Sequence, residues 1–142
     1  MKNITQNPIN IVILEDNEYY NKLLTKRINQ KMNELSEDNL IPYFIKSYSN
    51  YSEFLSNFKT DTHVAFIDFF LDDEKTGLDV LYKIKKNCVN CKVIILSDHK
   101  NFDNLTLCLN KGASGIIFKD DRTNTLCDYI LDEQVKNWKY EA

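Results

Sequence analysis

Five short apolar runs alternate with five stretches of helical periodicity, and this alternation constrains the fold of the 142-residue chain more than any other feature. The runs are 9-INIVIL-14, 43-YFIKS-47, 64-VAFI-67, 92-KVIIL-96 and 115-GIIF-118. Several are almost unbroken Val, Ile, Leu and Phe, the form a strand takes when helices cover both faces of a parallel sheet. Between them, Tyr20, Leu24 and Ile28, with Leu23 beside them, mark a helix over 17–33. Phe54, Leu55 and Phe58 mark one over 51–58, and Leu78, Leu81 and Ile84 one over 78–86. Phe102, Leu105 and Leu109 give a stripe in 101–111, with Gly112 suited to the left-handed stop after it. Leu126, Cys127, Ile130, Leu131 and Trp138 do the same in 123–138. This order predicts a doubly wound α/β sheet joined by right-handed crossovers. The stretch 33–42, NELSEDNLIP, reads as a loop. Residues 1–7 read as a flexible tail, 8–138 as the domain and 139–142 as a short C-terminal tail.

Composition narrows the function classes. Hydrophobic residues make up 43% of the chain, enough for a real core. The formal charge of -3 argues against a nucleic-acid binder working through a broad basic surface. No apolar run approaches the ~20 residues of a membrane helix. The polar start MKNITQNPIN lacks the apolar centre of a signal peptide, so a cytoplasmic protein is expected. Cys88 and Cys91 have a C-x-x-C spacing, but they precede a strand, and Cys108 and Cys127 fall in apolar helical patterns. All four are read as free thiols rather than zinc ligands or a redox pair.

The polar residues of interest fall where the strands end. The first strand runs into Glu15 and Asp16, the third into Asp68, the fourth into Ser97 and Asp98, and the fifth into Lys119. In a doubly wound sheet, ligands bind beyond these carboxyl ends. Carboxylates gathered there repel one another unless one is protonated or a cation enters. Hard oxygen ligands suit Mg²⁺. An aspartate, a divalent metal, a lysine and a hydroxyl are the parts of a phosphoryl-transfer site, with Asp68 as the nucleophile. Taken singly the residues have plainer readings: Asp16 could cap the helix that follows it, and Ser97 the 101–111 region.

At these residues the sequence resembles the receiver domain of bacterial response regulators, the CheY-like family. The resemblance is carried by ILEDN at 13–17, FIDFFL at 66–71, TGLDVL at 76–81, IILSD at 94–98 and KGASGIIFK at 111–119. It implies a flavodoxin-like (βα)5 sandwich with strand order 2-1-3-4-5. It also implies Asp68 as phosphoacceptor, with Glu15, Asp16, Asp68 and the Phe70 carbonyl holding Mg²⁺ or Mn²⁺. Ser97 would supply a hydroxyl and Lys119 a contact to the phosphoryl group. The donor would be a sensor histidine kinase or a phosphotransfer protein, docking on the 17–33 helix. Output would pass through the 101–137 face to another protein, with no direct contact to nucleic acid or membrane, and a phosphorylation-dependent homodimer is left open. Catalysis would be confined to the domain's own phosphorylation and dephosphorylation. The expectation is a single-domain regulator, since nothing resembling an output domain follows Lys119.

Several residues depart from the family pattern. Asp120 stands where proline is common, which predicts a trans Lys119–Asp120 bond and a shifted loop. Ile116 replaces the switch aromatic, Asp98 replaces a small residue, and the Asp68–Gly77 segment is one residue longer than usual. Phe70 and His99 occupy two positions that tune phosphoryl lifetime in the family. Phe70 predicts slow self-dephosphorylation, and His99 reads as an exposed loop imidazole. The main alternative is a degenerate receiver that binds partners without phosphorylation. A haloacid-dehalogenase-type phosphatase would need a second acid where Phe70 stands, and a flavodoxin-like cofactor protein a phosphate cradle where EDNEYY stands.

Overall fold

The computed structural model describes residues 7–72, 74–98 and 102–141. The elements follow in strict alternation: β1 (Ile9–Leu14), α1 (Glu18–Asn39), β2 (Tyr43–Tyr48), α2 (Tyr51–Asn57), β3 (Val64–Asp68), α3 (Gly77–Asn87), β4 (Lys92–Ser97), α4 (Phe102–Asn110), β5 (Gly115–Phe118) and α5 (Thr123–Glu141). The strands form one parallel sheet in the order β2-β1-β3-β4-β5. The doubly wound, flavodoxin-like architecture expected from the sequence is therefore the architecture observed.

Successive side chains of a strand point to opposite faces, so each strand feeds two cores. Ile11, Ile13, Phe66, Leu96 and Ile117 face one side, where Leu24, Ile28 and Met32 of α1 meet Cys127, Leu131 and Trp138 of α5. Val12, Leu14, Ala65, Ile67, Val93 and Ile95 face the other, under Phe54 of α2, Leu81 and Ile84 of α3, and Leu105 and Cys108 of α4. Every residue of β3 is buried, as its central position requires.

Three expectations about the helices need correction. The stretch 33–42 is not a loop, because α1 continues to Asn39. Leu35 prolongs the apolar stripe onto the first core, and the Ser36 hydroxyl donates to the Ile41 carbonyl. The helix ends where Leu40 turns left-handed at φ 55° and its N–H returns to the Ser36 carbonyl at 2.7 Å. In α4 the buried line is Leu105 and Cys108, while Phe102 and Leu109 are exposed. Cys108 behaves as a small hydrophobe and rotates the helix away from the expected face. Leu23 and Leu126 likewise lie outside the core. Finally, α5 runs to Glu141, into the stretch read as a tail, and the Trp138 indole N–H donates to the Asn7 carbonyl at 2.9 Å.

Other details agree with the sequence. Gly112 adopts φ 110° after α4, and the Ala113 N–H closes the turn onto the Cys108 carbonyl at 3.0 Å. All four cysteines are buried free thiols. The described peptide bonds, Lys119–Asp120 included, are trans. Among the described residues no helix is long and apolar enough to cross a membrane.

Leu40 gives a test of this backbone. It is 84% exposed and holds a positive φ that disfavours a side chain. Leu40→Gly is expected to leave the fold intact and raise stability by up to about 1 kcal/mol in urea unfolding, since the strain relieved outweighs the extra freedom of the unfolded chain. A loss of stability would show that the α1 terminus is built differently.

Candidate functional site

The parallel register brings the expected residues to one edge. Glu15 and Asp16 follow β1, Asp68 is the last residue of β3, Ser97 ends β4, and Lys119 follows β5. Glu15, Asp16, Asn17, Tyr20, Asp68, Phe70, Asp72, Asp98 and Lys119 line a single open cleft. Ser97 is almost fully buried and is not among the lining residues; its carbonyl accepts the Lys119 N–H at 2.9 Å.

Lys119 is the hub. Its ammonium lies 2.7 Å from Glu15 Oε1, 3.1 Å from Asp68 Oδ1 and 3.4 Å from Asp98 Oδ1. The Tyr20 ring lies beneath it at 4.6 Å. Burial pulls the lysine toward its neutral form, but Glu15 and Asp68 more than offset this and raise its pKa. The carboxylates respond to crowding. Asp68 is pushed up to about 7, first by burial and then by the Glu15 carboxyl beside it, with Lys119 opposing. Asp16 is raised by burial and by its contact with Asp68. Carboxylate oxygens of Glu15, Asp16 and Asp68 lie within 4.8 Å of one another, as metal ligands do. Glu15 Oε2 is buried and accepts no hydrogen bond. A buried carboxylate oxygen left unpaired costs about 1–3 kcal/mol or more, and a cation entering the cluster would satisfy it.

The backbone holds these groups in place. Asn17, not Asp16, caps α1, accepting the Tyr20 N–H at 2.9 Å, which leaves Asp16 available to the cleft. Gly77 packs its Cα against β3: a Cβ there would come within 3.1 Å of the Asp68 carbonyl and of Phe69 Cα. Between them the chain makes a narrow hairpin, with Phe70 bridged to Thr76 and the Leu71 N–H donating to the Lys75 carbonyl at 3.1 Å. This is the form taken by the lengthened segment, part of which (Asp73) lies outside the described residues, as does His99.

Four contributors escaped the sequence reading. Tyr20, part of the α1 stripe, packs against the first core and also lines the cleft. Asn21 donates to the Glu15 and Tyr48 carbonyls, both at 3.0 Å, tying the ends of β1 and β2 together. Its signal is a polar residue on the buried face of an amphipathic helix. Thr123 donates to the Phe118 and Asp120 carbonyls and accepts the Asp120 N–H, fixing the loop after Lys119. Asp72 joins the cleft from the hairpin.

Comparison with known proteins agrees with this geometry. The profile described as "Response regulator receiver domain" matches residues 11–131. A response regulator receiver domain protein from Clostridium thermocellum superposes with a TM-score of 0.74 at 20% identity, over 94% of this chain and 99% of its own. A CheY-like receiver domain protein from Methanospirillum hungatei gives 0.64 at 20% identity, over 96% and 100%. The response regulator DrrB of Thermotoga maritima, an OmpR/PhoB homolog, gives 0.71 at 18% identity over 90% of this chain, which spans 54% of that protein. No curated protein matches the sequence.

The raised Asp68 pKa carries a pH signature. In metal-free protein the unfolded chain releases this proton near pH 4 and the folded chain near pH 7. Between those values the folded state binds more protons, so this group's contribution falls as pH rises, by at most about 1.4 kcal/mol per unit, and is level above pH 7. Asp68→Asn removes this contribution. In chelator, thermal melts should show the variant gaining on the wild type from pH 4 to 7 and holding a constant lead above. A constant difference across that range would mean that Asp68 ionises as an ordinary carboxylate.

Proposed function

The chain belongs to the response regulator receiver domain family, and on that premise we propose that it takes a phosphoryl group onto Asp68 from a phosphohistidine donor. Receiver domains are phosphoacceptor signalling domains of two-component systems and interact with histidine kinases or phosphotransfer proteins. The observation that carries the proposal is the Lys119 ammonium shared between the buried carboxylates of Glu15 and Asp68.

In the proposed reaction an Asp68 oxygen attacks phosphorus, the P–N bond to the donor imidazole breaks, and the imidazole leaves with a proton from solvent. Lys119 balances charge on the transferred oxygens, and the Ser97 hydroxyl donates to one of them. Glu15, Asp16, Asp68 and the Phe70 carbonyl are the proposed ligands of Mg²⁺ or Mn²⁺. When bound, the ion offsets negative charge and favours the ionised form of Asp68. The domain is proposed to act in the cytoplasm by binding another protein. Phe70, 45% exposed on the cleft wall, offers no polar atom from its side chain to orient a hydrolytic water, which supports a slow decay of the acyl phosphate.

One observation favours the degenerate alternative. Asp98 already occupies the Lys119 ammonium with a carboxylate, as a phosphoryl group would. Intact mass after incubation with acetyl phosphate and Mg²⁺ decides between them. One phosphoryl adduct is expected, absent without Mg²⁺ and absent in Asp68→Asn, and its decay should be several-fold faster in Phe70→Asn. A folded wild type that takes no adduct with Mg²⁺ in excess makes the protein a phosphorylation-independent binding module.

A further inference from the structure

The cleft wall includes an aromatic ring to which the proposed reaction assigns no role. Tyr20 lies on the first turn of α1, half-buried, with its ring 4.6 Å from the Lys119 ammonium. On its far side Tyr20 lines a pocket together with Thr123, whose hydroxyl is tied to both ends of the β5–α5 loop. The ring faces the lysine that faces Asp68. Resting on the phosphoacceptor reading above, we infer that Tyr20 is a positioning residue for phosphoryl transfer: its ring holds the Lys119 ammonium toward Asp68.

A lysine has a flexible four-carbon stem and a strongly hydrated head, so direction must be imposed on it. Glu15 and Asp68 attract it from one side, but Asp98 also attracts it, from an exposed position at 3.4 Å. The Tyr20 ring offers its negative π-face on the remaining side and displaces water that would otherwise solvate the ammonium. Removing the ring leaves all three carboxylate contacts possible and takes away what selects among them. Lys119 stabilises the transferring oxygens in both directions, so phosphorylation and hydrolysis should slow together. A ring that merely shielded the acyl phosphate from water would act otherwise, and its loss would speed hydrolysis.

The test compares wild type, Tyr20→Phe and Tyr20→Leu. The first readout needs no phosphorylation: the Lys119 ε-methylene protons should be shifted upfield by the ring in wild type and Tyr20→Phe, and return to ordinary values in Tyr20→Leu. The second is adduct formation and decay with acetyl phosphate and Mg²⁺. Tyr20→Leu should slow both by about three- to tenfold, the scale of a cation–π contact, and Tyr20→Phe should restore most of the rate. Unshifted Lys119 protons in the wild type overturn the inference. So does a wild type that is phosphorylated with Tyr20→Leu reacting at the same rate or decaying faster. No adduct in the wild type overturns the phosphoacceptor reading, and the positioning role falls with it.

Discussion

The buried ion cluster around Lys119 is the constraint on which the rest of this structure depends. Glu15 is fully buried, Asp68 nearly so, and their oxygens stand 2.7 and 3.1 Å from one ammonium. Burying a charge is costly unless a partner of opposite sign is held in good geometry. Here the partners come from the ends of β1, β3 and β5, far apart in sequence, and only the parallel sheet sets them side by side. The apolar cores on both faces fix the strands, and the strands fix the charges. Local devices then refine the arrangement: Asn21 ties the Glu15 carbonyl, Gly77 lets α3 press against Asp68, and Thr123 closes the loop after Lys119.

The sequence made the sheet legible because its signals were redundant. Each strand is an apolar run, each intervening helix has a stripe, and the acids and lysine recur at strand ends. What it hid were features that depend on a helix's rotation or on a contact between distant elements. The α4 face turned on Cys108, which carries little weight in an apolar count beside Phe102 and Leu109. The end of α1 turned on a polar segment, LSEDN, in which Leu35 packs against the first core. Tyr20 fits the apolar stripe of α1, so its second role beside Lys119 is invisible until β5 is placed next to it. Asp16 illustrates the opposite case. A carboxylate before a helix reads equally well as a cap, and only Asn17 in the capping position frees it for the cleft.

Three of the departures from the family pattern, Asp98, Ile116 and Asp120, lie on the Lys119 side. Asp120, where proline is common, accepts the Arg122 N–H on its side chain and donates its own N–H to Thr123. The loop is therefore held by hydrogen bonds that a proline could not make, since proline has no N–H. Ile116 is half-buried against the second core and offers no aromatic ring to report the state of the site. The aromatic near the lysine comes instead from α1, across the cleft.

Among the described residues, the cleft carries the carboxyl groups of Glu15, Asp16, Asp68, Asp72 and Asp98 against one ammonium, that of Lys119. Phosphorylation at neutral pH would put about -1.5 to -2 in place of one carboxylate charge, adding to an excess already negative. The lysine cannot absorb this, because its contacts are already shared among Glu15, Asp68 and Asp98. Something positive must enter with the phosphoryl group, or a carboxylate must leave. Asp98 is the one able to leave, since its side chain is 61% exposed while those of Glu15 and Asp68 are buried. Glu15 and Asp68 are too buried to swing out in this way, and Glu15 Oε2 has no hydrogen-bond partner. A cation bound at Glu15, Asp16 and Asp68 and release of Asp98 from Lys119 would thus be two parts of one charge balance.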